Sequence, residues 1–327
     1  MSEVKPLVAI HCLVYNHESY LRDCFEGFVM QQTNFPFVAV VHDDASTDGS
    51  AAIIREYEEK YPHIFKPIYE HENVYTNCGF MAINKIMHEA IDATGAKYVA
   101  MCEGDDYWID SLKLQKQVDF LETHPAYGFI GSNCMIKRGD DCYNDNYHIG
   151  DYLMEDEVEL YGDIFESEAI YGPVTRTCTL LYKKSLIGDK IIYNTGDYCL
   201  QAILASESKF ARLSSFSSVY RIHSLGVSHD RSKKGILSYN KWFVDQRLQL
   251  NKLFPNVCNF KEDELYDLLE YRKMQIALSE FNYRDYMRSK EKISTNIYKN
   301  KNAYRLIKGI ITFYLFGFLF NIKQQVD

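Results

Sequence analysis

The first 135 residues alternate between short apolar runs and segments with helical spacing, and this alternation constrains the fold more than any other feature. Residues 7–14, 37–41, 65–69, 98–102 and 127–132 read as strands. Between them, residues 18–30 place Leu21, Phe25, Phe28 and Val29 at helical spacing, and residues 49–60 place Ile53, Ile54 and Tyr57 on one face, with Pro62 beyond the end. Residues 80–93 form a third helical segment with Gly95 near its end, and residues 112–122 a fourth, with Leu114, Val118 and Leu121 on one side and Pro125 as terminator. Strands alternating with helices predict an α/β chain with a mostly parallel central sheet and helices on both faces. The 327 residues allow about two domains and a sizeable core. Residues 136–232 are less regular; 177–183 and 217–222 read as strands and 198–206 as a helix. From 233 to 327 the pattern is helical throughout, and no internal repeat is visible.

The fourth apolar run ends in Glu103-Gly104-Asp105-Asp106-Tyr107-Trp108. Open α/β sheets place ligands outside the carboxyl ends of their strands. Two adjacent aspartates there repel unless something positive joins them. A hard divalent cation such as Mg²⁺, held by one or two carboxylates and by substrate phosphates, meets that need; a solvated acidic turn is the alternative. A second cluster, Asp43-Asp44-Ala45-Ser46-Thr47-Asp48-Gly49-Ser50, follows the second strand. An EF-hand loop starting at Asp44 requires Glu at its twelfth position, which is Arg55 here, so that reading is rejected. The cluster begins a helix, with Thr47 or Asp48 as N-cap. Asp44, at a strand end, can also accept a hydrogen bond from a pyrimidine N–H.

The formal net charge of −9 argues against a nucleic-acid partner. The 26 tyrosines offer flat faces with polar tips, suited to sugars and nucleobases as well as to core packing. The nine cysteines show neither CxxC nor zinc-type spacing, which predicts reduced thiols in a cytoplasmic chain. The N-terminal residues do not have the pattern of a signal peptide.

Taken in order, these pieces resemble the family 2 inverting glycosyltransferases of the GT-A fold. The resemblance rests on Val14-Tyr15-Asn16, Gln31-Gln32, the Asp43 to Ser50 cluster, Asn77-Cys78-Gly79 with Asn84, and the Glu103 to Trp108 hexapeptide. Lys113-Leu114-Gln115-Lys116-Gln117, Gly196-Asp197-Tyr198, Tyr220-Arg221-Ile222-His223 and Gly226-Val227-Ser228 complete it over roughly residues 5 to 230. It implies a Rossmann-like GT-A domain over 1–232, with a nucleotide-binding half at 1–135 and an acceptor half at 136–232, followed by a helical region at 233–327. By position, Val14, Tyr15 and Asp44 resemble nucleoside contacts, with Asn16, Asn77 and Glu103 also in the nucleotide-sugar site. Asp105 resembles the residue nearest the ribose and the metal, and Asp106 the direct metal ligand. Asp197 resembles the general base; an N-cap is its plainer alternative. Arg221 and His223 resemble groups that meet the diphosphate or the metal, against an ordinary ion pair and a structural histidine. Tyr107 and Trp108 stand where aromatic faces line sugar sites, although both also suit a core. Lys113 and Lys116 read as a solvated helix face. Two positions depart from the family pattern: Glu103 stands where many members have Asp, and Leu13 replaces a small polar residue.

The function implied is transfer of a hexose or N-acetylhexosamine from a nucleotide sugar, a UDP-sugar first, with inversion and with Mn²⁺ or Mg²⁺. The acceptor would be a glycan or lipid-linked glycan hydroxyl in surface polysaccharide synthesis. A non-catalytic nucleotide-sugar-binding protein is the alternative of a different class. A sugar nucleotidyltransferase ranks lower, because Tyr15-Asn16-His17 stands where a Gly-rich phosphate loop is expected.

Between residues 283 and 327, Lys and Arg outnumber Asp and Glu by nine to three. The apolar run 309–322 within it is shorter than the ~20 residues needed to span a bilayer. Flanked by Arg305, Lys308 and Lys323, segment 303–323 reads as interfacial, placing the chain peripherally on the inner face of the cell membrane. Docking on Leu265, Leu268, Leu269 and Ile276 is the alternative.

Overall fold

The computed structural model describes residues 5–145, 158–169, 172–188, 190, 196–224, 226 and 232–279, together with 285, 288, 289 and 292. It divides into two compact units, Met1–Gly226 and Val227–Asp327. The first unit opens with β1 (Val8–Val14), α1 (Leu21–Val29), β2 (Phe37–Asp43), α2 (Ser50–Lys60), β3 (Phe65–Tyr69), α3 (Val74–Cys78), α4 (Phe80–Thr94) and β4 (Tyr98–Met101). It continues with β5 (Tyr107–Trp108), α5 (Lys113–Thr123), β6 (Tyr127–Arg138), β7 (Asp141–Asn144), β8 (Val158–Gly162), β9 (Leu181–Lys183), α6 (Asp197–Glu207) and β10 (Lys209–Arg221).

These strands form one sheet in the order β3-β2-β1-β4-β9-β6-β10-β5, with β7 on β6 and β8 on β10. β1 is parallel to β2 and β4, β2 to β3, and β6 to β10. β9 runs antiparallel to both β4 and β6, so β4 and β6 share a direction. The main strands therefore all point one way, with β9 inserted against them and β5, β7 and β8 antiparallel at the margins. The carboxyl ends of β1, β2 and β4 lie side by side, which is where the acidic clusters emerge.

Strand alternation sorts β1 onto two faces. Val8, Ile10, Cys12 and Val14 join the main core with Phe25 and Phe28 of α1 and Leu114, Val118 and Leu121 of α5. Ala9, His11 and Leu13 take the opposite face, where α4 buries Ile83, Met87 and Ile91.

Several boundaries differ from the sequence reading, each for a visible reason. Residues 127–132 extend to Arg138, and polar side chains at the transition bond across the sheet: Ser132 Oγ lies 2.5 Å from Ser217 Oγ, and Asn133 Nδ2 donates to the Ser214 carbonyl at 2.7 Å, while Asn133 Oδ1 has no partner among the described residues. The expected strand 177–183 is a 3-10 turn, Thr177–Thr179, followed by β9. The N-cap of α2 is Gly49, while Asp48 Oδ1 accepts from the Ser50 N–H at 2.9 Å. Lys113 does not lie on a solvated face. It is fully buried, with its Nζ 2.7 Å from Gln117 Oε1 and 4.5 Å above the Trp108 ring, and burial lowers its pKa to about 8.

The second unit is helical where described. α7 (Lys233–Leu253) is capped by Ser232, whose hydroxyl accepts from the Gly235 N–H at 3.0 Å. Asn251 then pairs with both backbone groups of Phe260, holding the turn into α8 (Glu262–Ser279). Among the described residues no helix is long and apolar enough to cross a membrane. Segment 303–323, Val227 and Ser228 lie outside the described residues.

His11 is an imidazole in the middle of an apolar central strand, only 7% exposed. Burial lowers its pKa from 6.5 to about 4. The unfolded chain therefore binds a proton below pH 6.5 that the folded chain refuses until about pH 4. The associated stability is present above pH 6.5 and is lost as pH falls toward 4, amounting to about 2 kcal/mol by pH 5. Urea unfolding of the wild type and His11→Leu at pH 7 and pH 5 should show the variant gaining about that much on the wild type at the lower pH. A constant difference between them would show that His11 is not held neutral.

Candidate active site

The loops leaving β1 and β2 are cross-braced by the polar residues of the Asp43 to Ser50 cluster. Ser46 Oγ accepts from the Asn16 N–H at 3.0 Å, Ser50 Oγ from the His17 N–H at 2.9 Å and Asp48 Oδ2 from the Glu18 N–H at 3.0 Å. In return, Asn16 Oδ1 accepts from the Thr47 N–H at 2.8 Å and Glu18 Oε2 from the Gly49 N–H at 2.8 Å. The bracing holds Asn16 and Ala45 at φ of 56° and 57°, a left-handed conformation that non-glycine residues adopt mainly where the surroundings impose it. The Asn16 side chain is thus committed to shaping the loop. Tyr15, beside it, is 46% exposed and keeps a face open.

Asp44 is buried and already has hydrogen-bond donors. Its Oδ1 accepts from the Val74 N–H at 2.6 Å and its Oδ2 from the Tyr75 N–H at 3.1 Å, so its carboxylate holds the start of α3. A base N–H would have to use the remaining lone pairs. Asn77 is exposed on α3, and its amide turns to Glu72.

The Glu103 to Trp108 turn is fastened to the end of β10. Asp106 points inward: it is 2% exposed, and its Oδ1 accepts from the Arg221 N–H at 2.8 Å. The Arg221 guanidinium donates to the Asp105 carbonyl at 2.8 Å, pairs with Asp23, and lies 4.2 Å from the Tyr107 ring centre. Arg221 is therefore a clamp and not a free diphosphate contact. Trp108 is a core residue, 2% exposed, with Nε1 donating to the Cys178 carbonyl at 2.9 Å. It packs on Phe28 and does not line a sugar pocket. Gly104 is required for size, since a Cβ there would sit 2.9 Å from His17 Nδ1 and 3.0 Å from side-chain atoms of Val14 and Leu21.

Asp105 is the carboxylate of this turn that meets the histidines. His223 Nε2 lies 3.0 Å and His17 Nε2 3.8 Å from its Oδ2. Burial raises the Asp105 pKa, but the His223 hydrogen bond and the two imidazoles outweigh burial and bring it below the ordinary value. Asp106, held away from these groups, has its pKa pushed well up by burial. Asp106, which the sequence suggested for direct metal contact, is turned away from the histidines, and Asp105 faces them. Carboxylate oxygen and imidazole nitrogen are fitting donors for a divalent cation, and the buried Nδ1 atoms of His17 and His223 have no hydrogen-bond partner among the described residues. Among those residues no three His, Cys, Asp or Glu side chains already surround a common point.

Asp197 is the first residue of α6. It is delivered by Gly196 at φ 155°, ψ 179°, a region open essentially to glycine. Its Oδ2 accepts from Thr177 Oγ1 at 3.2 Å. The turn carrying Thr177 is pinned by bonds from Trp108 and Ser218 to the Cys178 carbonyl and from Gln117 to the Thr179 carbonyl. Asp197 and Glu103 line the same cavity, which runs inward between the sheet and α4. Burial, with the charges of Asp105 and Asp197, pushes the Glu103 pKa up to about 8. Burial also raises that of Asp197, and the Thr177 hydrogen bond moderates the rise. The arrangement offers one carboxylate able to take a proton, Glu103 in the same cavity, and, two residues further along that turn, an acidic group flanked by histidines.

The sequence reading missed three of these groups. His17 was visible in the strand-exit tripeptide, whereas Asp23 and Thr177 carry no local signal, since only the fold brings them to Arg221 and Asp197.

The sequence profile of the family described as Glycosyl transferase family 2 matches residues 10–186, more than half of the chain. The uncharacterized protein Rv1520 of Mycobacterium tuberculosis is 30% identical over 224 residues, covering 68% of this chain and 60% of that protein. TuaG of Bacillus subtilis, provisionally named a teichuronic acid biosynthesis glycosyltransferase, is 32% identical over 140 residues, 42% of this chain and 52% of TuaG. The chain thus spans 60% of the length of the first relative and about half of the second. In fold it is similar to S. aureus TarS 1–349 in complex with UDP-GlcNAc, with a TM-score of 0.55 at 15% identity over 86% of this chain and 79% of that one.

The crowding at Gly104 gives a direct check. Gly104→Ala should cost about 1–3 kcal/mol, because His17, Val14 and Leu21 must all shift. Urea unfolding should show the loss, and an unchanged midpoint would mean the turn is looser than described.

Proposed function

The chain belongs to glycosyl transferase family 2, and from that premise we propose that it transfers a sugar from a nucleotide-sugar donor to an acceptor hydroxyl with inversion. The observation that carries this reading is the juxtaposition of Asp197, fixed by Thr177, with Glu103, the first residue of the acidic turn, in the lining of one cavity.

The acceptor hydroxyl gives its proton to Asp197, and its oxygen forms a bond to the anomeric carbon. The bond from that carbon to the β-phosphate oxygen breaks on the opposite side, and its electron pair leaves with the nucleoside diphosphate. A base in this position contributes typically 10²- to 10⁴-fold. Asp105, with His223 as the nearer imidazole, is where we assign a divalent cation, which would supply positive charge to the departing diphosphate when bound. Mixed oxygen and imidazole donors favour Mn²⁺ over Mg²⁺. Tyr15 is the stacking surface for the base, and Asp44 contacts it through lone pairs that α3 leaves over. Arg221 acts on the donor through Asp105, whose backbone it holds.

For the donor we propose a UDP-sugar, the kind held by TarS, which shares the fold. For the acceptor we propose a glycan or lipid-linked glycan of a surface polysaccharide, a reading that TuaG's name supports. Cytoplasmic placement with peripheral membrane attachment through 303–323 completes the proposal on charge pattern alone.

Asp197→Asn should bind UDP-sugar in Mn²⁺ as the wild type does and lose transfer by about 10²- to 10⁴-fold; retained transfer would remove Asp197 from the reaction. A base must be ionised to act, so turnover should fall as pH drops through the Asp197 pKa, which burial holds above its ordinary value. Thr177→Val removes a hydrogen bond to the ionised form and should move this limb to higher pH, with Thr177→Ser restoring it. Identical pH profiles for all three proteins would show that Thr177 does not position the base.

A further inference from the structure

The cavity extends well past the carboxylates, and the part beyond them has a chemistry of its own. It is a slot between α4 and the sheet face that carries His11 and Leu13. Helical spacing puts Phe80, Asn84, His88 and Ile91 of α4 along one wall, while Val99 and Met101 of β4 continue the other. The cavity as a whole, carboxylate end included, has a volume of about 40 Å³, which is narrow. His11 is the one polar residue of the apolar strand β1, with His42 of β2 the nearest titrating neighbour. The His11 Nδ1 is sealed inside the protein with no hydrogen-bond partner among the described residues, so a group in the slot, which the side chain borders, would meet the other ring nitrogen, Nε2. Buried polar atoms without partners are rare and call for an explanation.

We infer that this slot is a subsite for a neutral acetamido substituent on the donor sugar, recognised by His11. The inference rests on the donor reading above and narrows it to an N-acetylhexosamine. The charges exclude an acidic sugar. Glu103 and Asp197 stand at one end, and the basic groups at the other, partly exposed end are already paired: Lys184 Nζ lies 2.5 Å and His88 Nε2 3.1 Å from the Asp92 carboxylate. The walls disfavour a bare hydroxyl, which would answer His11 but leave Phe80, Ile91, Val99 and Met101 facing a void. An acetamido group answers both demands. Its carbonyl or N–H meets the imidazole nitrogen, and its methyl meets the apolar walls. A neutral imidazole can serve as donor or acceptor according to its tautomer. A site built around a polar group rejects the analogue that lacks it more strongly than an apolar pocket does.

Calorimetric titration of the full chain in Mn²⁺ with UDP, UDP-glucose, UDP-N-acetylglucosamine and UDP-N-acetylgalactosamine tests this. The wild type should bind at least one acetamido donor tenfold or more tightly than UDP-glucose. His11→Leu should erase that preference while leaving the affinity for UDP unchanged, and His11→Gln, which keeps a hydrogen-bonding side chain, should retain most of it. Should the leucine variant fold poorly, the glutamine variant and the wild-type donor series still decide. Equal affinities in the wild type, or a preference intact in His11→Leu, would overturn the subsite and leave a slot for ordered water only. UDP that fails to bind at all would overturn the donor reading itself.

Discussion

The hydrogen bond from the Arg221 N–H to the buried Asp106 carboxylate is the contact on which the rest of the site depends. It ties the turn after β4 to the end of β10, two elements more than 100 residues apart in sequence. With Asp106 turned inward, its neighbour Asp105 faces the histidines. The Arg221 guanidinium completes the lock by holding the Asp105 carbonyl. Adjacent acidic residues thus have opposite surroundings, one buried against the Arg221 backbone and one facing the histidines. The cost of burying Asp106 is offset by hydrogen bonding, and a pair broken on one side would leave a buried polar group unsatisfied.

A second constraint fixes the other half of the site. The 3-10 turn at Thr177 is held from three directions, by Trp108, Gln117 and Ser218. Gln117 is in turn held by Lys113, which lies over the Trp108 ring. The aromatic and basic residues that sequence reasoning assigned to a sugar site and to solvent are therefore the scaffold beneath it. Rigid support of this kind is what the base proposed at Asp197 would need, since proton transfer tolerates little misplacement.

The parallel sheet and its helices were legible because apolar periodicity reports burial directly, and β1, β2, α2, β3, α4 and α5 all follow it closely. The acidic strand exits were legible because few other placements tolerate such residues. What stayed hidden was orientation. No local pattern distinguishes Asp105 from Asp106, or reveals that Arg221 and Asn16 spend their hydrogen bonds within the protein. The polar residues buried in β6 and β10 masked the length of those strands, since Ser132, Asn133 and Ser217 find their partners across the sheet. His11 was passed over for the opposite reason: a single imidazole in an apolar run does not disturb the strand pattern, and its meaning lies in the cavity it borders.

The most direct test of the account is Mn²⁺ binding in the presence of UDP, followed by electron paramagnetic resonance, for Asp105→Asn and Asp106→Asn. Asparagine at 106 can still accept the Arg221 N–H, so the account predicts that this variant keeps Mn²⁺ while Asp105→Asn loses it. Loss of Mn²⁺ in Asp106→Asn with retention in Asp105→Asn would contradict it.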